Sequence, residues 1–290
     1  MKTIVVLAAG LMLFAQPVMG ADRAMNIQAQ TKIIDGNRTW REDRSYSYTF
    51  SVEVIADNDG AKHEGRKDGR PFIDAYPGEE YRVRIHNPLP VRVAANLSID
   101  GLNSLTGKPG TPEGGKKWVI EPESWIDVTG WQVSDRTARR FIFTSKSASY
   151  ASWRSNDWGR DLSVNCGVIG VAYFWSQTDL DGYFDDHPVI IRRFAPREGP
   201  EMSQGMSRAP MAPGARGGAQ KDEEQRAGTG MGERQSNPVR QVRFEYDRGM
   251  YRATEAVIVF YDFPEEPRRG PRPFEDRGGY APEAPNPSGR

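Results

Sequence analysis

The sequence predicts an all-β fold: an antiparallel β-sandwich of jelly-roll or immunoglobulin-like type, built as a single domain with a disordered insertion. Three observations predict it. Short runs of alternating or wholly apolar residues recur along the chain, and Gly, Pro and Asn turn residues separate them. No window sustains a helical period. The chain has a single cysteine, so no internal disulfide can staple a small domain, and an ordinary apolar core must hold the fold.

Taken from the N-terminus, residues 1–20 (MKTIVVLAAGLMLFAQPVMG) carry one lysine, an apolar run and a small-residue end. This is the pattern of a secretory leader, with cleavage expected after Gly20. The apolar run is well short of the ~20 residues that cross a bilayer, and no transmembrane segment is expected. Export to the periplasm or the exterior follows. Residues 21–46 are read as an N-terminal extension, and the main part of the sandwich as 47–194.

Within that part, 80–87 (EYRVRIHN) puts Tyr81, Val83 and Ile85 on one face and Arg82, Arg84 and His86 on the other. Residues 91–99 repeat the alternation. Asn87-Pro88-Leu89-Pro90 between them reads as a turn, so the two runs are expected to form a hairpin with one wet face. Further strands are expected at 47–56, 117–121, 125–129, 139–144 and 189–194. The runs 167–175 and 256–263 are apolar on both faces, as in central strands covered on both sides.

Residues 195–238 contain no Val, Ile, Leu, Phe, Tyr or Trp. With no large apolar group to bury, this segment is expected to be a disordered Gly/Pro/Met linker. Residues 239–263 then supply closing strands of the same sandwich, and 264–290 form a Pro-rich disordered tail. Lys plus Arg number 39 against 39 Asp plus Glu. A neutral chain offers no global attraction to nucleic acid, and no nucleic-acid partner is expected.

The order of several segments resembles a family of secreted bacterial β-sandwich proteins. The segments are the SIDGLN turn, the Gly130-Trp131 pair, the GVIGVA core strand, and the closing pair VRQVRFEY and AVIVFYDF. The resemblance spans roughly residues 69–263. It implies a fold and an export route and brings no activity with it.

Three groups of residues are candidate sites. Asp100-Gly101 followed by Asn103 has the chemistry of a tight turn, in which Gly takes positive φ and Asp and Asn close local hydrogen bonds. A turn held by rigid strands can also bind, so Asp100 and Asn103 are candidate ligand contacts. Residues 149–161 (SYASWRSNDWGRD) place Trp153 and Trp158 in a polar loop. If displayed, the two indoles give apolar platforms for sugar rings, with Arg154, Asn156 and Asp157 supplying directional hydrogen bonds. If tucked, they form a satellite cluster beneath the loop. Asp179, Asp181 and Asp185 lie in DLDGYFDDH, where several carboxylates around a glycine suit calcium, although the spacing departs from the EF-hand pattern. The stretch GTPEGGK before Lys117 matches a phosphate loop only in part, because Lys117 stands where Ser or Thr is required and a strand follows. His63, His86 and His187 are far apart, and no motif marks a catalytic triad.

The expected function is that of an exported, non-catalytic binding protein of the cell envelope or exterior, with a glycan or another protein as ligand. A structural or assembly component is the alternative, and an exported hydrolase the second alternative. Fold alone does not choose among them.

Overall fold

The structure is a computed structural model, and it describes residues 4–8, 21–58, 60–191, 226–247 and 256–264. The described residues form two mixed β-sheets and no barrel, consistent with an all-β sandwich. In one sheet the order is β17 (Val239–Arg243), β1 (Ile4–Ala8), β10 (Lys117–Ile120), β8 (Val93–Ile99), β14 (Val168–Phe174), β18 (Ala256–Asp262), β6 (Arg70–Asp74) and β5 (Gly65–Lys67). In the other it is β12 (Gly130–Gln132), β13 (Thr137–Ser145), β7 (Glu80–Asn87), β3 (Arg38–Ala56), β2 (Ala21–Asp35) and β15 (Val189–Ile190). Short strands extend both: β9 (Leu102–Asn103) on β8, β11 (Ser124–Val128) on β7, β16 (Ala227–Ser236) on β13 and β4 (Gly60–Ala61) on β3. Pairing is mostly antiparallel, but β1–β10, β2–β15 and β6–β18 are parallel.

Aromatic side chains join the sheets. Phe50 on β3 meets Tyr173 on β14 at 4.6 Å between ring centroids, and Phe143 on β13 meets Tyr261 on β18 at 5.1 Å. Tyr81, Val83 and Ile85 point inward and are fully buried, as the alternation of β7 demands. The opposite face of β7 carries ion pairs: Arg84 donates to Asp127 at 2.8 Å, and Arg140 on β13 meets Glu80 at 2.6 Å.

Four expectations are corrected. The hairpin of 80–87 with 91–99 does not form, because β7 and β8 belong to different sheets. Alternation gives a strand a buried face but does not choose its neighbour. The corner is made by Asn87, which is fully buried: its amide donates to the carbonyls of Val91 (2.9 Å) and Glu121 (2.8 Å), and its Oδ1 accepts from Leu89 N (2.9 Å). Residues 21–46 are not an extension but most of a long hairpin, β2 against β3, paired from Ala21↔Val52 to Asp35↔Arg38. Among the described residues two α-helices interrupt the β-structure, α1 (Tyr150–Trp158) and α2 (Gln177–Asp186).

The fourth correction concerns 195–238. Residues 192–225 lie outside the described residues, but 227–236 form β16, paired with β13 from Thr137↔Ser236 to Ser145↔Ala227. Large side chains are not what orders it. Its glycines bring the backbone close: a Cβ on Gly228 would stand 2.8 Å from Ser149 Cβ and 3.2 Å from Cys166 Sγ. Backbone pairing and close approach hold it, with Ala227 buried and Met231 packed against the core. The tail 265–290 also lies outside the described residues, and so does most of the expected leader, of which Ile4–Ala8 is β1.

The turn at Asp100-Gly101 joins β8 to β9 in two residues, with φ of 51° and 77°. Both values are positive, as an Asp-Gly hairpin turn requires. A Cβ on Gly101 would come within 2.7 Å of the Asn165 amide, so the position excludes larger residues. The Asp100 carboxylate turns into the core, only 1% exposed. It accepts from Gly167 N (3.0 Å), Thr229 N (2.7 Å) and Tyr261 Oη (2.7 Å). Thr229 Oγ1 continues the network to Tyr261 and Tyr81. Burial raises the Asp100 carboxyl to about 6, in spite of the donors that pull it down.

Asp100→Ala leaves three buried donors without an acceptor, and chemical denaturation should show a loss of at least about 3 kcal/mol. The pH effect has a defined sign. The folded carboxyl titrates near 6 and the unfolded one near its model value of 3.8, so the folded state binds the extra proton between these values. Stability from this group is therefore complete below about pH 4 and lost as pH rises through 6. Relative to Asp100→Asn, which does not titrate, the parent should gain on the order of 3 kcal/mol between pH 7 and pH 4.

Candidate functional site

The segment 149–161, expected as a loop, is largely helix α1. Ser149 caps its start, its side chain accepting from Ser152 N at 3.1 Å, and Gly159 ends it in the left-handed region at φ 60°. The helix lies against β16 and the loop after Asn103. Ala151 is fully buried, and Ser155 Oγ donates to the Ala151 carbonyl at 2.9 Å while accepting from Leu162 N at 2.9 Å.

Trp153 points away from this contact and is 62% exposed; Trp158 is 42% exposed. Both indoles are thus displayed. They do not share one platform, because five helical residues separate them by about 140° around the axis. Trp153 belongs to a continuous aromatic stack that begins in the core. Phe141 and Trp131 meet edge to face at 5.3 Å, Trp131 contacts Tyr150 at 4.8 Å, and Tyr150 stacks on Trp153 at 5.7 Å with 17° between planes. Trp131 is fixed by its indole N–H, which donates to the Gly230 carbonyl at 3.0 Å. Burial raises the Tyr150 phenol, which stays protonated at neutral pH.

Polar groups flank the exposed indole. Arg154 places its guanidinium 5.9 Å from the Trp153 ring, donates from Nε to the Gly107 carbonyl at 3.2 Å, and pairs with Asp157. Asn156 is exposed on the neighbouring side of the helix. Trp153, Arg154, Asn156 and Asp157 therefore surround one outward patch, with Trp158 at its margin.

Asp100 and Asn103 are not ligand contacts. Both are buried, and their polar atoms are occupied by the fold. Asn103 Nδ2 donates to the Lys116 carbonyl at 2.8 Å, its Oδ1 accepts from Leu105 N at 3.1 Å, and its carbonyl accepts from Gly107 N at 2.8 Å. Their contribution to the patch is indirect: Asn103 shapes the 103–107 loop, and Gly107 of that loop lies under Tyr150 and receives the Arg154 bond.

The acidic segment around Gly182 is helix α2, and the helix disperses its carboxylates. Asp179 and Asp181 are about 200° apart around the axis. Asp181 Oδ1 accepts from Gln30 N and Gln177 Nε2, both at 2.9 Å. Asp185 accepts from Arg41 Nε at 2.9 Å, and this partner holds its carboxyl below the usual range. Among the described residues no group of three His, Cys, Asp or Glu is placed to hold a metal. Ser176 caps the helix, its hydroxyl accepting from Asp179 N at 3.1 Å.

A cleft of about 460 Å³ lies between β2 and α2, with Met25, Ile27 and Trp175 in its lining and Asp43, Gln177 and Asp181 among its polar groups. Sequence patterning did not find it, because its walls come from segments 150 residues apart. Cys166 touches Ser149 Oγ at 3.4 Å, and burial pushes its thiol up to about 12, as for an inert structural cysteine.

No family model, curated protein or solved structure matches the chain. The site is therefore argued from its geometry alone.

With its aspartates dispersed, and Asp181 and Asp185 engaged by Gln30, Gln177 and Arg41, α2 should not bind calcium. Thermal melts in millimolar calcium and in chelator should coincide, since an ion that does not bind the folded state cannot raise its melting temperature.

Proposed function

We propose that the protein is an exported binding protein of the cell envelope or exterior that holds a saccharide against the Trp153 face of α1. The observation that carries this reading is the aromatic stack running from buried Phe141 through Trp131 and Tyr150 to exposed Trp153. An exposed indole on a flexible loop would lose entropy when a ligand ordered it. This one is already held by its neighbours, so binding costs less ordering. Its free face suits the C–H face of a sugar ring, and the Arg154–Asp157 pair and Asn156 lie where they can hydrogen-bond to hydroxyls.

The leader-like residues 1–20, and the resemblance to secreted sandwich proteins, support the export half of the reading. Charge balance favours a neutral ligand over a strongly anionic one.

A glycan array probed with the purified protein tests the proposal, followed by titration of the best saccharide. Trp153→Ala should change folding stability by no more than about 0.5 kcal/mol, as exposed substitutions do. It should weaken saccharide binding by about 2 kcal/mol or more, as loss of an aromatic anchor does. An array without a ligand, or a saccharide bound equally by the variant, would remove the proposal; capture of a protein through the same residue would replace it.

A further inference from the structure

We propose that release of the leader opens a slot between β10 and β17, and that this slot accepts an extended apolar strand from another polypeptide. The proposal rests on export and cleavage, and it is independent of saccharide binding at α1.

β17 has no neighbour in its sheet among the described residues except β1. Yet β17 is held in place from outside the sheet. At one end Asn237 N donates to the Arg136 carbonyl at 2.9 Å and Val239 N to the Asp135 carbonyl at 2.8 Å. Beyond its other end, Asp247 N donates to the Trp175 carbonyl at 3.1 Å, and the Asp247 carboxylate accepts from Gln177 N at 2.6 Å. Between these anchors Tyr246 packs on Phe174 at 5.1 Å and under the Lys117 ammonium at 5.0 Å. β17 therefore stands two strand spacings from β10, about 9.6 Å, whether or not anything lies between them.

In the intact chain β1 fills that space. It runs parallel to β10, from Val5↔Lys117 to Leu7↔Val119, and antiparallel to β17, from Ile4↔Arg243 to Ala8↔Val239. Cleavage after Gly20 takes away this strand and little else, since β2 begins at Ala21 and pairs in the opposite sheet. Two rows of backbone N–H and C=O groups then face each other across a gap too wide for them to pair. Their anchors keep them from closing it. Unpaired strand edges of this kind bind an added strand through main-chain hydrogen bonds.

The sequence of β1, IVVLA, defines the chemistry of the occupant: five extended, apolar, mostly β-branched residues without proline. Once the leader is gone, the undescribed remainder of the chain has no such run. Segments 192–225, 248–255 and 265–290 are interrupted throughout by Pro, Gly or charge. Proline cannot donate to a ladder. The strand must therefore come from a different polypeptide rather than from a second mature copy.

The test uses the protein as exported by its producing cell, with intact mass fixing the N-terminus, beside the full chain that retains residues 1–20. A fluorescent peptide of residues 3–9 (TIVVLAA) is titrated into each. The exported protein should bind it and melt at a higher temperature, and the same peptide with Val6→Pro should bind at least about tenfold more weakly. The full chain, with its slot filled, should not bind. Absence of binding to the exported protein, equal binding of the proline peptide, or a mass showing that Met1 is kept would each overturn the proposal. Loss of saccharide binding in Trp153→Ala with peptide capture unchanged would support two separate sites.

Discussion

The buried carboxylate of Asp100 is the interaction on which the most distant parts of the chain converge. Its three acceptor contacts reach Gly167 just before β14, Thr229 near the start of β16 and Tyr261 of β18, at separations of 67, 129 and 161 residues. A single anion with several donors is an economical way to fix segments that share few large side chains. It explains how β16, with glycine at Gly228 and Gly230, holds its place beside β13. It also couples both sheets, because Tyr81 of β7 reaches the same network through Thr229.

From that hub the route to the surface is short. β16 supplies the carbonyl that fixes Trp131 and the close-packed floor beneath the start of α1. The loop that leaves the Asp100 turn is closed by Asn103 and ends under Tyr150 and Arg154. The turn is thus no binding site, but the exposed indole stands on it. Residues that look functional by their polarity serve as supports, and the group that faces solvent is an apolar one.

The same economy applies at the sheet edges. β17 is tied down by contacts outside its own ladder, and charges on the wet face of β7 pair with neighbouring strands. In both places, side-chain chemistry that would attract attention in isolation is accounted for by the neighbours the fold supplies.

How much was legible divides along physical lines. The all-β class, the inward face of β7 and the Asp100-Gly101 turn follow from the sequence, because these depend on a period of two and on local backbone preference. Helices α1 and α2 were read as a loop and an acidic turn, because their apolar content is too low to give a period. Tertiary structure alone decided that β7 and β8 part at Asn87, that β16 is ordered without large side chains, and that Asp181 and Asp185 face partners rather than an ion. It alone decided, too, that Trp153 stands at the end of an aromatic stack. Each of these rests on contacts between residues far apart in the chain. Such contacts leave no local pattern, because alternation names a buried face and not the partner that buries it.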